Sequence, residues 1–348
     1  MDAAEIDYDL PQDAIAQHPV EPRDAARLLV DRGPDAPADH QHVADLDQLL
    51  GPHDVLVLND TRVIPARLHL RKDTGGAVEV LLLERRPEGH WEALVRPSRR
   101  VADGTVLRPV DPHAVELEVE VGEVLGDDGR RRVTIHGGTD DDLTVLAAVG
   151  EVPLPPYIHE PLADVERYQT VYAQRPGSVA APTAGLHLTD ALLDRCREKG
   201  VTVLRVELVV GLGTFRPVLV DRVEDHPMHA EHYRIPSDTA DALGRRPGDA
   251  PGQVVAVGTT VVRALESWAA TGRVEGATDL FIHGRYPFQV IDRLLTNFHV
   301  PRSSLLALVE AFVGPRWRDL YAEALAEGYR FLSFGDAMLL DRRSDRAG

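Results

Sequence analysis

Residues 63–152 of this 348-residue chain carry short strand patterns separated by turns, with no helical periodicity before about residue 141. Between residues 115 and 121, valine and leucine alternate strictly with glutamate. A period of two is typical of a strand with one buried and one solvated face. Turn signals that contain glycine separate the strand patterns, at 75–76, 87–89, 103–104 and 127–129. Five or more short strands joined by tight turns predict a small antiparallel β-barrel or sandwich.

The sequence on both sides of this β-rich segment has a different pattern. After residue 153, strand patterns alternate with helical patterns, which is typical of a sheet covered by helices. Strands are predicted at 201–210, 254–257, 279–282 and 290–295, and helices at 188–198, 261–270, 304–312 and 318–327. One buried strand, 54–58, precedes residue 62. We therefore predict an α/β core domain formed by 1–62 plus 153–348, with 63–152 inserted as a β-barrel domain.

Charge and composition exclude several classes of protein. The chain has 56 acidic and 38 basic residues, so its formal charge is −18, which argues against a generic basic protein that coats nucleic acid. Its single cysteine, Cys196, excludes an intrachain disulfide and a cysteine-cluster metal site. The acidic first twenty residues are unlike a signal peptide, and no apolar run is long enough to span a bilayer. We expect a cytoplasmic protein with no membrane partner.

Polar residues follow two of the predicted strands. Asp60 and Arg62 come directly after the strand at 54–58, and strand ends are where α/β folds bind ligands. A local turn with a salt bridge to Arg62 is the alternative. Thr259 and Thr260 follow the strand at 254–257 and begin a helix, whose free N–H groups suit a carboxylate or phosphate. The alternative is that one threonine only caps the helix.

The segment Gly211-Leu212-Gly213-Thr214 follows the strand at 201–210. It is not a dinucleotide-binding fingerprint, because Arg216 stands where a third glycine is required. Either it forms a tight turn, or its backbone lies close to a ligand.

A loop of small residues, 178–187, precedes the helix at 188–198 and contains Thr183 and His187. His187 is a candidate for proton transfer near neutral pH, the alternative being a hydrogen-bonded histidine at a helix start. A second histidine pattern, His226-x-x-His229-x-x-His232, has metal-ligand spacing. Because Pro227 interrupts any helix that would align these rings, we expect no metal site there.

Taken together, these segments resemble the S-adenosylmethionine:tRNA ribosyltransferase-isomerases of queuosine biosynthesis. The matching segments occur in the family's order along nearly the whole chain, at 22–30, 59–67, 93–97, 153–158, 167–173, 179–187, 211–215, 256–260, 295–299 and 335–339.

The resemblance implies an α/β core with an inserted antiparallel β-barrel. It also implies S-adenosylmethionine as co-substrate, no metal, and a tRNA that carries 7-aminomethyl-7-deazaguanine at the wobble position as partner. In that reaction the ribosyl group moves to the aminomethyl nitrogen and becomes an epoxy-cyclopentane, giving epoxyqueuosine, while adenine and methionine leave. We expect the enzyme to act as a monomer.

The chemistry implied by the resemblance assigns roles to the candidate residues. The sulfonium acidifies the C5′ hydrogens of the ribose, and His187, in one segment with Thr183, is the expected base. Asp60 and Arg62 are expected to hold ribose or the acceptor amine. Residues at two other strand ends are expected to bind the co-substrate, with Arg263 helping to hold the methionine carboxylate: Gly211, Gly213, Thr214, Thr259, Thr260 and Arg263.

Three segments differ from the family pattern. Val209 stands at a family histidine, His232 stands at a family tryptophan, and the loop 283–287, which begins with His283, is altered. These differences raise two further hypotheses: the same chemistry on a small-molecule acceptor, or a non-catalytic relative that binds nucleotide or RNA. On the predicted barrel, Arg96, Arg99 and Arg100 form a candidate phosphate-binding cluster or a solvated charged face.

Overall fold

The computed structural model describes residues 1–33, 36–110, 116–126, 129–137, 142–211, 218–228, 230–246 and 250–343. Contacts within the chain divide it into two compact units. The first unit holds Met1–Arg62, Pro155–Arg175 and Ala181–Gly348, and the second holds Val63–Leu154 and Pro176–Ala180.

The strands are β1 (Arg27–Val30), β2 (Asp39–His42), β3 (Val55–Asn59), β4 (Thr61–Val63), β5 (Arg67–Lys72), β6 (Ala77–Arg85), β7 (Trp91–Arg96), β8 (Thr105–Pro109), β9 (Leu117–Leu125), β10 (Arg130–Gly137), β11 (Arg175–Ser178), β12 (Thr202–Leu208), β13 (Glu231–Arg234), β14 (Val254–Val257), β15 (Glu275–Thr278), β16 (Arg293–Asn297) and β17 (Ala337–Asp341). The α-helices are α1 (Leu46–Leu49), α2 (Asp142–Val149), α3 (Asp190–Glu198), α4 (Ser237–Gly244), α5 (Thr259–Thr271), α6 (Ser304–Val313) and α7 (Trp317–Ala326).

The first unit is built on a nine-stranded mixed sheet in the order β15-β13-β12-β3-β14-β16-β17-β1-β2. Its four central strands, β12, β3, β14 and β16, run parallel to one another. Every residue of β3, β14 and β16 is buried, as expected of a sheet covered on both faces, and the middle of each strand is apolar without alternation. Because the four strands are parallel, their carboxyl ends meet at one edge of the sheet.

Helices cover the sheet as the alternating pattern predicts. Helix α5 packs against β3, β12 and β14, and α3 packs against β12. The buried side of α3, including Leu192 and Cys196, joins a core cluster with Leu56 and Val255 of the sheet. Helix α5 follows β14 through Gly258, whose φ of +92° is a conformation that side chains rarely adopt.

One predicted strand, 279–282, is absent, and the strand in this region is β15, which ends at Thr278. Side chains satisfy the backbone beyond it: the Leu280 N–H donates to Thr278 Oγ1 at 3.1 Å, and the Leu280 carbonyl accepts from Arg263 Nε at 3.1 Å. Since these groups already have partners, the apolar run does not join the sheet ladder.

The second unit contains a closed antiparallel barrel in the order β10-β7-β6-β5-β8-β9. The alternation predicted from sequence is confirmed: Val119 and Val121 are fully buried, and Glu118 and Glu120 of the same strand are not. None of the helices in the described part of the chain is long and apolar enough to cross a membrane. The fold class is therefore the predicted one, an α/β core with an antiparallel β-barrel.

Candidate active site

Two adjoining cavities lie at the carboxyl edge of the central strands, each with a volume of about 30 Å³. Space of this size holds about one water, so the cavities mark where polar atoms converge and not the full volume of a nucleotide. Six polar side chains line the first cavity: Thr183, Thr259, Thr260, Thr296, Asn297 and His299. The second cavity shares three of these and adds Tyr157 and Ser333.

A chain of hydrogen bonds joins the small-residue loop to the end of β16. Thr183 Oγ1 donates to Asn297 Oδ1 at 2.9 Å, and Asn297 Nδ2 lies 3.0 Å from His187 Nε2. A second contact of the amide, 3.4 Å to the Asp336 carbonyl, also requires Nδ2 as donor. His187 Nε2 therefore accepts a hydrogen bond from the Asn297 amide. Asn297 lines the cavity and connects the ring to it.

Packing requires a glycine at position 185 of this loop. A β-carbon on Gly185 would collide with the Tyr172 hydroxyl, so only glycine allows the short helix Thr183–His187 to lie against that ring. His187 at its end is only 4% exposed.

His187 carries no charge at neutral pH. Burial, together with the positive charges of Arg330, Arg167 and Arg23, lowers the pKa of its imidazole to about 3. The ring is thus a neutral imidazole whose conjugate acid is disfavoured by its surroundings.

A second buried imidazole lies in the cavities themselves. His299 lines both cavities, and its Nε2 lies 2.9 Å from Thr296 Oγ1. Burial lowers the pKa of this ring to about 3 as well. Both histidines are therefore uncharged at neutral pH, but of the two only His299 lines the cavities.

The threonines after β14 occupy the position predicted for them. Thr259 and Thr260 begin helix α5, line the cavity and are at most 9% exposed. Asn59, at the end of β3, donates from Nδ2 to Thr260 Oγ1 at 3.3 Å and to the Leu208 carbonyl at 3.0 Å. This amide fixes the start of α5 against the ends of β3 and β12.

Arg263 lies one turn further along α5 and does not line the described cavities. Its guanidinium forms a buried ion pair with Glu231 and donates to the carbonyls of Leu280 and Thr278. The other oxygen of Glu231 accepts the Gly211 N–H at 3.1 Å. The structure thus joins two predicted residues, Arg263 and Gly211, through a carboxylate that the sequence did not indicate.

Two other predicted residues, Gly213 and Thr214, lie outside the described residues. Asp60 and Arg62 are described, but they are not among the residues that line the two cavities. Asp60 is buried 3.9 Å from Arg205, and burial together with the charge of Glu207 raises the pKa of its carboxyl. Arg62 is half-exposed and pairs with Glu166 at 2.5 Å, the alternative that the sequence left open.

Two of the three segments that differ from the family pattern lie beside each other. The Val209 N–H donates to the His232 carbonyl at 2.9 Å, so two of these positions meet at the β12–β13 junction. In the histidine pattern, the His226 ring contacts Phe281 and His229 lies outside the described residues. Within the described ranges, no group of three or more His, Cys, Asp or Glu side chains is arranged to hold a metal ion.

Sequence reasoning assigned no role to Thr296, Asn297 and His299, although their segment was among the matching ones. The signal that identified Asp60 is present here too: a buried strand, β16, ends in polar side chains. Only the strand order shows that this end lies beside β14, with Asn297 within reach of the small-residue loop.

Comparison with known proteins supports the family resemblance. A family model described as a queuosine biosynthesis protein matches residues 3–340. An S-adenosylmethionine:tRNA ribosyltransferase-isomerase from Thermus thermophilus is 54% identical over 345 residues, covering 96% of this chain and 98% of its own. The Rubrobacter xylanophilus enzyme of the same name is 50% identical over 338 residues, covering 97% and 96%.

A crystal structure of an S-adenosylmethionine tRNA ribosyltransferase from Thermotoga maritima is similar to this chain, with a TM-score of 0.54 and 37% sequence identity. The similarity covers 96% of this chain and 99% of that one. The resemblance seen in the sequence is therefore confirmed, and the chain belongs to the S-adenosylmethionine:tRNA ribosyltransferase-isomerase family of queuosine biosynthesis enzymes.

Proposed function

We propose that this enzyme transfers and isomerises the ribosyl group of S-adenosylmethionine onto 7-aminomethyl-7-deazaguanine at the tRNA wobble position. The product is epoxyqueuosine in tRNA, with release of adenine and methionine, and the reaction takes place in the cytoplasm. The single observation that carries the proposal is the buried polar site at the carboxyl edge of the sheet in a chain about 50% identical to enzymes with this name.

Proton removal from C5′ needs an unprotonated base, and the two buried imidazoles are both unprotonated at neutral pH. His187 can act only if bound substrate displaces the Asn297 amide from its Nε2, whereas His299 already lines the cavities. We keep His187 as the proposed base, with Asn297 and Thr183 presenting the substrate to it.

Replacing each ring by alanine in turn separates these two assignments. His187→Ala is expected to slow single-turnover adenine release by about 100-fold or more, the range of general-base catalysis, and His299→Ala by much less. The reverse ranking, measured on folded variants at saturating substrates, would transfer the role of base to His299.

For the methionine carboxylate we propose the N–H groups and hydroxyls of Thr259 and Thr260 at the start of α5. Arg263 is occupied by Glu231 and two carbonyls. We therefore propose that it supports the site by holding Gly211 through Glu231. Asp60 and Arg62 remain proposed contacts of the acceptor.

The test is to mix the protein with S-adenosylmethionine and tRNA that carries the aminomethyl base. Adenine release is measured, and digested tRNA is analysed by mass spectrometry. We expect adenine and epoxyqueuosine in equal amounts. Turnover of the free base with none on tRNA would support a small-molecule acceptor, and binding without adenine release would support a non-catalytic relative.

A further inference from the structure

The arginines of the barrel fall into two groups. Most of those in the described residues form ion pairs with carboxylates, namely Arg67, Arg85, Arg86, Arg108, Arg130, Arg131 and Arg132. The exceptions include three at the end of β7 and in the connection that follows it, Arg96, Arg99 and Arg100, which we call the arginine turn. All three are exposed, and none has a carboxylate partner among the residues that the structure describes.

The carboxylates around the arginine turn are engaged elsewhere. Glu79, the cross-strand neighbour of Arg96, lies 3.9 Å from the Arg67 Nε. Asp103, which follows the turn, pairs with Arg131 at 2.7 Å. The turn therefore keeps three uncompensated positive charges on a chain whose formal charge is −18.

The backbone of the turn is held in one conformation. The N–H groups of Arg100 and Val101 donate to the carbonyls of Pro97 and Ser98, and Val101 is buried. The buried guanidinium of Arg131 donates to the Val101 carbonyl at 3.1 Å. Lys72 adds a further cation, since its Nζ donates to the Arg100 carbonyl. A turn whose backbone is fixed loses little backbone conformational entropy when its side chains bind a ligand.

We propose that the arginine turn binds the phosphate backbone of the tRNA substrate. This inference rests on the proposed function, because it takes tRNA to be the acceptor. Three guanidinium groups within five residues match a run of phosphates, which arginine binds through paired N–H donors. On an acidic protein, a polyanion is attracted only where cations are locally uncompensated, so the seven barrel arginines that pair with carboxylates do not provide such a surface. Arg71, which is exposed and outside these pairs, stands alone and is not part of a cluster of three.

The test compares two triple variants with the same change in charge. One is Arg96→Gln, Arg99→Gln, Arg100→Gln in the arginine turn. The matched control replaces three exposed but ion-paired arginines of the same barrel, as Arg85→Gln, Arg108→Gln, Arg132→Gln. Dissociation constants for the full tRNA are measured from about 0.05 to 0.3 M salt, with thermal unfolding to show that both variants are folded.

The arginine-turn variant is expected to bind tRNA about tenfold or more weakly, and its log Kd against log salt slope to fall by about 2–3. Its KM for tRNA should rise with kcat unchanged. The control is expected to change Kd no more than about threefold, since distant exposed charges are screened. Equal effects of the two variants on affinity and slope would overturn the proposal.

Failure of this proposal and failure of the proposed function give different results. If the wild type modifies tRNA but the arginine-turn variant binds as the wild type does, only the proposal for the turn is wrong. If the wild type releases no adenine although tRNA binding depends on the turn, the proposed reaction is wrong and the binding surface stands.

Discussion

Two ion pairs, one beside the core sheet and one on the barrel, hold their charges in opposite ways. In the core pair, Arg263–Glu231, both side chains are only 6% exposed. On the barrel, pairs such as Arg132–Glu123 lie on the outer face with about half of each side chain exposed. Removing one partner of the buried core pair leaves an uncompensated charge away from water and is strongly destabilising. Solvent screens the exposed barrel pair, so its loss matters little. Position in the fold therefore decides what an ion pair does.

Breaking the core pair is expected to have the largest effect on stability. Glu231→Gln leaves the Arg263 guanidinium buried without a counter-charge, so the free energy of unfolding should fall by about 3–5 kcal/mol. Urea denaturation monitored by circular dichroism measures this. A loss below about 1 kcal/mol would show that this pair behaves like a surface pair, and the comparison would fail.

Lowering the pH should destabilise the core through its two buried histidines. The pKa of His187 and of His299 is about 3 in the folded protein and 6.5 without burial, so the unfolded state binds more protons as the pH falls below 6.5. Each ring should therefore lower stability by about 2 kcal/mol between pH 6.5 and 5.

The variant His299→Gln isolates one of these contributions, because glutamine does not titrate. It should lose about 2 kcal/mol less than the wild type over the same interval, measured by urea unfolding at each pH. Parallel pH profiles for the two proteins would show that His299 is not held neutral by burial.

The smallest effect is expected on the barrel. Glu123→Gln removes the partner of Arg132 at an exposed pair, and the free energy of unfolding should change by less than about 1 kcal/mol. The same urea assay used for Glu231→Gln gives the value directly. A loss as large as that of the core variant would remove the distinction between the two regions.

The same difference explains what could be predicted from the sequence. The barrel was predictable because its alternation is local, and each residue's face follows from its neighbours, as for Val119 and Glu120. The four parallel strands of the core sheet were predictable, and so was the position of Thr259 at the start of α5. In each case the signal lies within a few residues of its effect.

What could not be predicted depends on contacts distant in sequence. The pairing of Arg263 with Glu231 joins residues 32 positions apart, and that of His187 with Asn297 joins residues 110 apart. No local pattern identifies such partners. The sequence therefore indicated His187 and Arg263, which are both buried, as site residues. It could not show that Asn297 and Glu231 already bind these side chains.

The most direct test of the account is single-turnover adenine release by Asn297→Ala. Asn297 lines both cavities and joins Thr183 to His187, so its amide is central to the proposed site. With saturating S-adenosylmethionine and acceptor tRNA, the folded variant should release adenine about 100-fold or more slowly than the wild type. A rate equal to that of the wild type would show that the reaction takes place elsewhere in the molecule.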